Sequence, residues 1–208
     1  SSGVIMGENF NMADFEEYMR DGQVDHPPAL YEDYKSTVLR SPSRKAVRLE
    51  HTLSEITGPI YGHGPILEGE DDLSIVEGEE AQGQRIFVSG QVLDENGKAV
   101  PNTLIEIWQC NAAGRYRHEV DQHPAPLDPN FVGGGRVVTD DRGSYKFTTI
   151  KPGAYPWGNH HNAWRPAHIH FSLFGPAFVT RLITQMYFPG DPLFPFDPIY
   201  NSIPNEKA

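Results

Sequence analysis

The chain has 208 residues, a formal net charge of −11, and 20 glycines and 18 prolines, which together make about 18% of it against roughly 12% in average proteins. This length suits one domain, the glycine and proline excess disfavours a helical bundle, and the negative charge disfavours nonspecific binding to nucleic acid or anionic membranes. A single cysteine excludes an intrachain disulfide framework, and no apolar run approaches the roughly 20 residues of a transmembrane helix, so we expect a cytoplasmic protein without nucleic-acid or membrane partners.

The N-terminal part of the chain carries little periodic signal. Residues 1–47 are predicted to form an irregular arm with one short helical candidate around Phe15 to Met19. The double proline at 27–28 and the Ser-Pro pair at 41–42 favour extended backbone over helix. A second short helical candidate follows around Thr52 to Ile56.

From Arg85 onward the sequence alternates apolar and polar residues in short runs, which predicts strands. Six such runs occur: 85–94, 102–109, 136–140, 144–150, 166–174 and 178–188. Asn96-Gly97 is a strong hairpin signal between the first two runs, and Asp141-Arg142-Gly143 predicts a second hairpin between the third and fourth. The predicted fold class is mainly β: an antiparallel β-sandwich with an irregular N-terminal arm and long Pro/Gly-rich loops.

The run PAHIHFSLF contains two histidines, His168 and His170, with one residue between them. Because side chains in a strand alternate between faces, both imidazoles point to one side and Ile169 and Phe171 to the other. Two imidazoles on one face can bind one metal ion. A polar strand face that happens to hold two histidines is the alternative.

Two loops earlier in the chain contain tyrosines that could supply oxygen donors. Tyr155 lies in the aromatic loop KPGAYPWGNHHNAWRP, and Tyr116 follows the strand that ends at Trp108. The same aromatic residues could simply pack the end of the sandwich. Without a second cysteine, phenolates are the plausible anionic ligands, and two imidazoles with hard oxygen donors suit a hard cation such as Fe(III).

Several spaced motifs resemble those of the intradiol ring-cleavage dioxygenases. They are GRYRH at 114–118, LDPNF at 127–131, KPGAYPW at 151–157, WRPAHIHF at 164–171 and LITQMYFPGDP at 182–192. The segment HPPALYEDYKSTVLRSP at 26–42 is similar to the β chains of the protocatechuate-cleaving group in that family. No one motif is specific, whereas the set in this order is.

The resemblance implies a mononuclear non-haem Fe(III) centre. By motif, its ligands would be Tyr116, Tyr155, His168 and His170, together with a solvent hydroxide. Tyr155 would be the ligand that leaves when substrate binds, and it would then act as a general base. Arg165 and Gln185 would complete the catalytic group beside the reacting ring, Arg165 by stabilising charge that develops there.

The resemblance also implies a set of substrate contacts: Tyr34, Arg40, Trp157, Ile199 and Trp108. Tyr34 would hydrogen-bond a substrate carboxylate. A purely structural place in the arm is the alternative for Tyr34 and Arg40, and the role of Arg40 is the less defined of the two.

The implied reaction is the cleavage of protocatechuate by O₂ between its two hydroxyl-bearing carbons, to give 3-carboxy-cis,cis-muconate. Residues 1–47 would supply substrate and partner contacts, and residues 48–208 would form the catalytic sandwich, which in family members continues past this point with a further strand. A homologous α chain would complete an (αβ)n hetero-oligomer. The alternatives are a catechol or hydroxyquinol 1,2-dioxygenase and a non-catalytic β-sandwich binding module.

Overall fold

The computed structural model describes residues 27–44, 65–94, 96–175 and 181–204. Two short α-helices occur there, α1 (Lys35–Arg40) and α2 (Pro198–Asn201), together with a 3₁₀ turn, Phe194–Phe196. The strands are β1 (Ile75–Val76), β2 (Glu79–Glu80), β3 (Arg85–Gln91), β4 (Leu104–Trp108), β5 (Gly134–Val138), β6 (Ser144–Ile150), β7 (Tyr155–Trp157), β8 (Ala163–Arg165), β9 (His168–Phe174) and β10 (Arg181–Tyr187). The predicted mainly β class is confirmed. Within these residues, no helix is long and apolar enough to cross a membrane.

The strands pair in antiparallel fashion in two main sheets. One sheet has four strands in the order β10-β9-β4-β5, and the other consists of β3 and β6. The short pairs β1-β2 and β7-β8 stand apart from them. Strand β9 lies inside the larger sheet, with β4 on one side and β10 on the other. Strands β9 and β4 are therefore the two inner strands of this sheet, and each is paired on both sides.

The core lies between the two main sheets. It contains buried side chains from both: Val88, Phe147 and Ile150 from the smaller sheet, and Ile105, Ile107, Val137, Ile169 and Phe171 from the larger one. The rings of Phe147 and Phe171 meet edge to face across the core, with centroids 5.9 Å apart. Burial of these apolar faces is the main stabilising contribution to the sandwich.

Both predicted hairpins are wrong in their pairing. The turn at Asn96-Gly97 closes only a single bridge, Leu93 with Ala99, and β3 and β4 belong to different sheets. The turn at Gly143 likewise joins β5 to β6, yet β5 pairs with β4 and β6 with β3. The local turns form as expected, because Gly143 has the positive φ that the tight turn needs. Each of these two turns leads the chain from one sheet to the other. The strands before and after the turn therefore lie on opposite sides of the shared core.

The arm is less irregular than predicted, because α1 forms within it. The prolines at 27–28 and 42 restrict only their own positions and the residues just before them, so Ser41 is extended and ends the helix. The buried hydroxyl of Thr37 donates to Tyr31 and Tyr34 carbonyl oxygens and stabilises the preceding turn. The predicted helices around Phe15–Met19 and Thr52–Ile56 lie outside the described residues.

Candidate metal centre

Four side chains with potential metal-ligating atoms meet near the start of β9: Tyr116, Tyr155, His168 and His170. The Tyr116 hydroxyl lies 3.1 Å from Nε2 of His170. The Tyr116 and Tyr155 rings meet edge to face with centroids 4.8 Å apart, and the two imidazole centroids are also 4.8 Å apart. The structure therefore brings the four sequence-predicted donors into one cluster.

The alternation of β9 places the histidines as predicted. Ile169 is fully buried in the core and Phe171 is 5% exposed, so the imidazoles occupy the opposite face of the strand. His170 lies between Trp108 on β4 and Gln185 on β10 in the sheet register. The Trp108 ring stacks on the His170 imidazole, with centroids 4.8 Å apart and an interplanar angle of 4°. Sheet pairing and stacking together fix the orientation of this imidazole.

The two tyrosines come from loops that contact each other. Gly114, with φ of 79°, lies against the backbone of Ala154, and a Cβ at Gly114 would collide with the Ala154 carbonyl oxygen. Only glycine permits this approach, which brings the segments before Tyr116 and before Tyr155 side by side. The buried carboxylate of Asp121 accepts a 2.7 Å hydrogen bond from the Tyr116 backbone N–H. The loop is thereby held from both sides.

The imidazoles have the protonation state that metal binding requires. Burial, with the positive charge of Arg165 as a further cause, lowers the pKa of His168 to about 4. Burial, followed by the effects of His168 and Arg165, lowers the pKa of His170 to about 3. Both rings are therefore neutral near pH 7. Nδ1 of His168 lies 2.7 Å from the Pro166 carbonyl oxygen, which can only accept, so the proton sits on Nδ1 and Nε2 carries the lone pair that a metal would require.

The phenols fit a strong Lewis acid rather than a weak one. Burial raises the pKa of both Tyr116 and Tyr155, so each phenol stays neutral unless a nearby cation stabilises its anion. Among the described residues, no group of three or more His, Cys, Asp and Glu could hold a metal. The cluster instead offers two imidazole nitrogens and two phenol oxygens, a donor set that suits ferric iron.

Arg165, at the end of β8, lies beside the cluster and is 5% exposed. Its Nη1 is 3.2 Å from Nε2 of His168. Its Nη2 donates to three oxygens: Oε1 of Gln185 at 2.7 Å, the hydroxyl of Tyr187 at 2.7 Å and Oδ2 of Asp197 at 3.0 Å. Because a guanidinium only donates, Gln185 must turn its carbonyl oxygen towards Arg165. The predicted catalytic pair Arg165 and Gln185 is thus in direct contact.

The remaining predicted residues approach the cluster indirectly. The Arg165 guanidinium lies 5.5 Å from the Trp157 ring centroid, and the Tyr34 ring is 5.4 Å from that of Trp157. Arg40 is 5.5 Å from the Tyr34 ring. Ile199 is linked to Arg165 through Asp197, whose Oδ1 accepts from the Ile199 backbone N–H. Arm, Trp157 and Arg165 therefore form a continuous row, with Arg40 at its outer end.

Sequence reasoning missed three residues of this site: Asp121, Tyr187 and Asp197. Tyr187 lies two residues after Gln185 on β10 and hence on the same face, so strand periodicity could have found it. Asp197 precedes a proline and reads as a helix cap, a role that its Oδ1 does fill. Nothing in the sequence indicates that its other oxygen pairs with Arg165.

Comparison with known protein families identifies the chain. A model of the dioxygenase family matches residues 56–207, and a model of the N-terminal region of the protocatechuate 3,4-dioxygenase beta subunit matches residues 18–52. This chain belongs to the intradiol ring-cleavage dioxygenase family. The family predicted from the spaced motifs is confirmed. Enzymes of this family generally depend on Fe(III).

Individual relatives of this dioxygenase agree with that assignment. The protocatechuate 3,4-dioxygenase beta chain of Burkholderia cepacia is 58% identical over 181 residues, which cover 86% of this chain and 77% of that protein. Catechol 1,2-dioxygenase of Candida albicans is 33% identical, over 73% of this chain and 52% of that protein. The crystal structure of 3-chlorocatechol 1,2-dioxygenase from Rhodococcus opacus 1CP superposes with a TM-score of 0.54 at 26% identity, over 69% of this chain and 59% of that one.

Proposed function

We propose that this chain is the β subunit of a protocatechuate 3,4-dioxygenase and that it carries the iron of the enzyme. The reaction is the intradiol cleavage of protocatechuate by O₂ to 3-carboxy-cis,cis-muconate. The observation that carries the proposal is the cluster of two neutral imidazoles and two phenols, in a chain 58% identical to a protocatechuate 3,4-dioxygenase beta chain. The family models and relatives support the same activity.

Tyr116, Tyr155, His168 and His170 would hold the iron. When bound, Fe(III) supplies the Lewis acidity that draws electron density from a catecholate and opens its ring carbon to O₂. The two histidines donate through neutral nitrogens, and the two phenols lose their protons to become anionic donors. Tyr155, in the motif KPGAYPW, matches the phenol that leaves the metal in the family. We propose that the Tyr155 oxygen accepts the proton of a catechol hydroxyl when the substrate binds.

The residues around the cluster would bind and orient the ring. Arg165 directs charge-assisted hydrogen bonds to oxygen that gains negative charge on the reacting ring, and Gln185 fixes the guanidinium from one side. Trp108, Trp157 and Ile199 would line the pocket and exclude water. The Tyr34 hydroxyl would donate to the substrate carboxylate, and Arg40 would support the Tyr34 ring.

The assembly proposed is an (αβ)n hetero-oligomer with a homologous α chain, in the cytoplasm. The relative of highest identity described above is named as a beta chain, which implies a second kind of chain. The division into an arm at 1–47 and a catalytic sandwich at 48–208 belongs to the same proposal. The arm supplies Tyr34 next to Trp157, and its helix is joined to the β7-β8 loop because Asn159 bonds the backbone of Asp33 and Lys35.

The decisive experiment compares substrates on the iron-loaded enzyme. Oxygen uptake and product spectra with protocatechuate, catechol and hydroxyquinol should rank protocatechuate first by kcat/KM. A preference for catechol or hydroxyquinol would overturn the substrate assignment in favour of the 1,2-dioxygenase alternative, and absence of turnover with all three would favour a non-catalytic binding module.

A second measurement tests the ligands themselves. Tyrosinate bound to ferric iron should colour the protein red-brown, and Y116F and Y155F should each weaken or shift that absorption band. Y145F is the matched control, because Tyr145 packs against Phe147 and Phe171 in the core, away from the cluster. A colourless protein with a full complement of iron would contradict the assignment of phenolate ligands.

A further inference from the structure

The carboxylate of Asp197 is the most deeply buried charged group of the site, with none of its surface exposed. Its two oxygens have different partners. Oδ2 lies 3.0 Å from Nη2 of Arg165, and Oδ1 accepts a 3.0 Å hydrogen bond from the backbone N–H of Ile199. One side chain therefore joins the guanidinium to the start of α2, where the proposed pocket residue Ile199 lies.

The charge of Asp197 balances that of Arg165. The Arg165 side chain is 6% exposed, and its other acceptors, Gln185 and Tyr187, are neutral. A buried guanidinium surrounded only by neutral groups would be strongly unfavourable. Asp197 supplies the counter-charge that allows a permanent cation to sit here.

The contact also leaves part of the guanidinium available. The hydrogen bonds to Asp197, Tyr187 and Gln185 all use Nη2. Nη1 faces Nε2 of His168, and Nε of Arg165 is buried without a hydrogen-bond partner among the described residues. A bidentate carboxylate would have used two nitrogens. Anchoring through one nitrogen holds the guanidinium in place, while Nη1 is directed at the His168 imidazole and Nε has no acceptor among the described residues.

We propose that Asp197 is a positioning residue of the dioxygenase. It holds the guanidinium of Arg165 at the reaction site and connects it to the backbone of the pocket residue Ile199. This inference rests on the proposed function. Asp197 acts through Arg165: its Oδ2 also accepts a long, 3.4 Å hydrogen bond from the Tyr187 hydroxyl, but it has no hydrogen bond to the proposed ligands Tyr116, Tyr155, His168 and His170. Replacing Asp197 should therefore lower activity only through the displacement of Arg165.

The variant D197N removes the charge of the carboxylate and one of its two acceptor oxygens. An asparagine has a single side-chain oxygen, which can accept from the Ile199 N–H or from Arg165 but not serve both as Asp197 does, and it carries no charge. We expect kcat for protocatechuate to fall by about 10- to 100-fold, as for other residues that orient an active-site group, with full iron content. In an R165M background, D197N should change kcat by less than about twofold, because the residue it positions is already absent.

Thermal unfolding of the same four proteins gives a readout that does not depend on turnover. D197N should lower the unfolding temperature much more beside Arg165 than in the R165M background, since only the former leaves a buried unpaired charge. If D197N alone fails to fold while R165M/D197N folds, the pairing is equally supported. Asp128 provides the matched control: it is 7% exposed and accepts from the backbone N–H groups of Gln82 and Asn130.

D128N should have the same modest effect on unfolding in both backgrounds and leave kcat unchanged. Additive effects of D197N and R165M on both kcat and unfolding would overturn the inference. A wild-type enzyme that does not turn over protocatechuate would count against the proposed function alone, because the unfolding cycle would still decide whether Asp197 holds Arg165.

Discussion

Two arginine–carboxylate pairs in this dioxygenase differ in almost every respect but chemistry. Arg136 and Glu70 pair near the surface, each with 21% of its side chain exposed, through two hydrogen bonds of 2.5 and 2.6 Å. Arg165 and Asp197 pair in the interior, with 6% and 0% exposed, through one nitrogen at 3.0 Å. The exposed pair thus has the closer, bidentate geometry, and the buried pair has the looser one.

The two carboxylates engage different nitrogens of their guanidinium groups. Glu70 engages both Nε and Nη2 of Arg136, as expected of a contact that ties the segment before β1 to β5. Asp197 engages one nitrogen of Arg165, and the rest of the group faces the imidazole cluster. The bidentate geometry thus belongs to the pair nearer the surface, whereas the proposed catalytic arginine is buried and paired through one nitrogen.

The largest effect expected is that of D197A, which would leave the Arg165 guanidinium buried without its counter-charge. We expect the free energy of unfolding to fall by about 3–5 kcal/mol, measured by urea denaturation of the full chain. The double variant R165M/D197A should regain most of this loss, because no buried charge remains. If the double variant loses as much unfolding free energy as the two single variants together, Asp197 does not stabilise the buried charge of Arg165.

A smaller effect is expected for Y187F, which removes the hydroxyl that accepts from Arg165 at 2.7 Å and donates to Gln185 at 3.0 Å. Burial raises the pKa of Tyr187, so the phenol is neutral and able to donate. Since hydrogen bonds to charged groups contribute about 1.5–3 kcal/mol, Y187F should lose that amount of unfolding free energy. In Y145F, the hydroxyl removed makes no hydrogen bond to the described residues, and no comparable loss should occur.

The smallest effect is expected for E70Q, because solvent screens the surface pair. The Arg136 hydrogen bond lowers the pKa of Glu70. The ion pair therefore stabilises the fold at pH values above the pKa that Glu70 has in the unfolded chain. This stabilisation is lost as the pH falls through the lower pKa of Glu70 in the folded protein. Unfolding at pH 7 in low and in 1 M salt should show a slight deficit that high salt removes. The exposed neighbour Glu68 supplies the control variant E68Q. If E70Q lost as much unfolding free energy as D197A, the two pairs would not differ in their contribution to stability.

The sequence predicted which side chains meet near β9, and for the histidines this rests on a local pattern. In β9 the alternation of His168, Ile169 and His170 sets two faces, and burial of Ile169 leaves the imidazoles on the other. The tyrosines were found by resemblance to family motifs and not by any period, since each lies at the end of a loop. Their meeting depends on the contact of Gly114 with Ala154, which links segments 40 residues apart in the chain.

Strand pairing was predictable only in part. The turns at Gly97 and Gly143 form where glycine allows a positive φ, yet neither joins two paired strands. A turn sets the direction of the chain, whereas the choice of partner strand depends on which faces must share the core. That choice involves residues distant in sequence, such as Phe147 and Phe171, whose rings meet between the sheets.

By itself, then, the sequence determined the class of fold and the family, and it predicted the candidate donor atoms, because strand alternation and family motifs lie in short stretches of residues. Only the tertiary structure decided that Asp197 neutralises Arg165 and that Tyr187 and Gln185 share the same guanidinium nitrogen. Those contacts join β8, β10 and the start of α2. They follow from burial, which forces a permanent cation to find its counter-charge and acceptors among whichever side chains the fold brings near it.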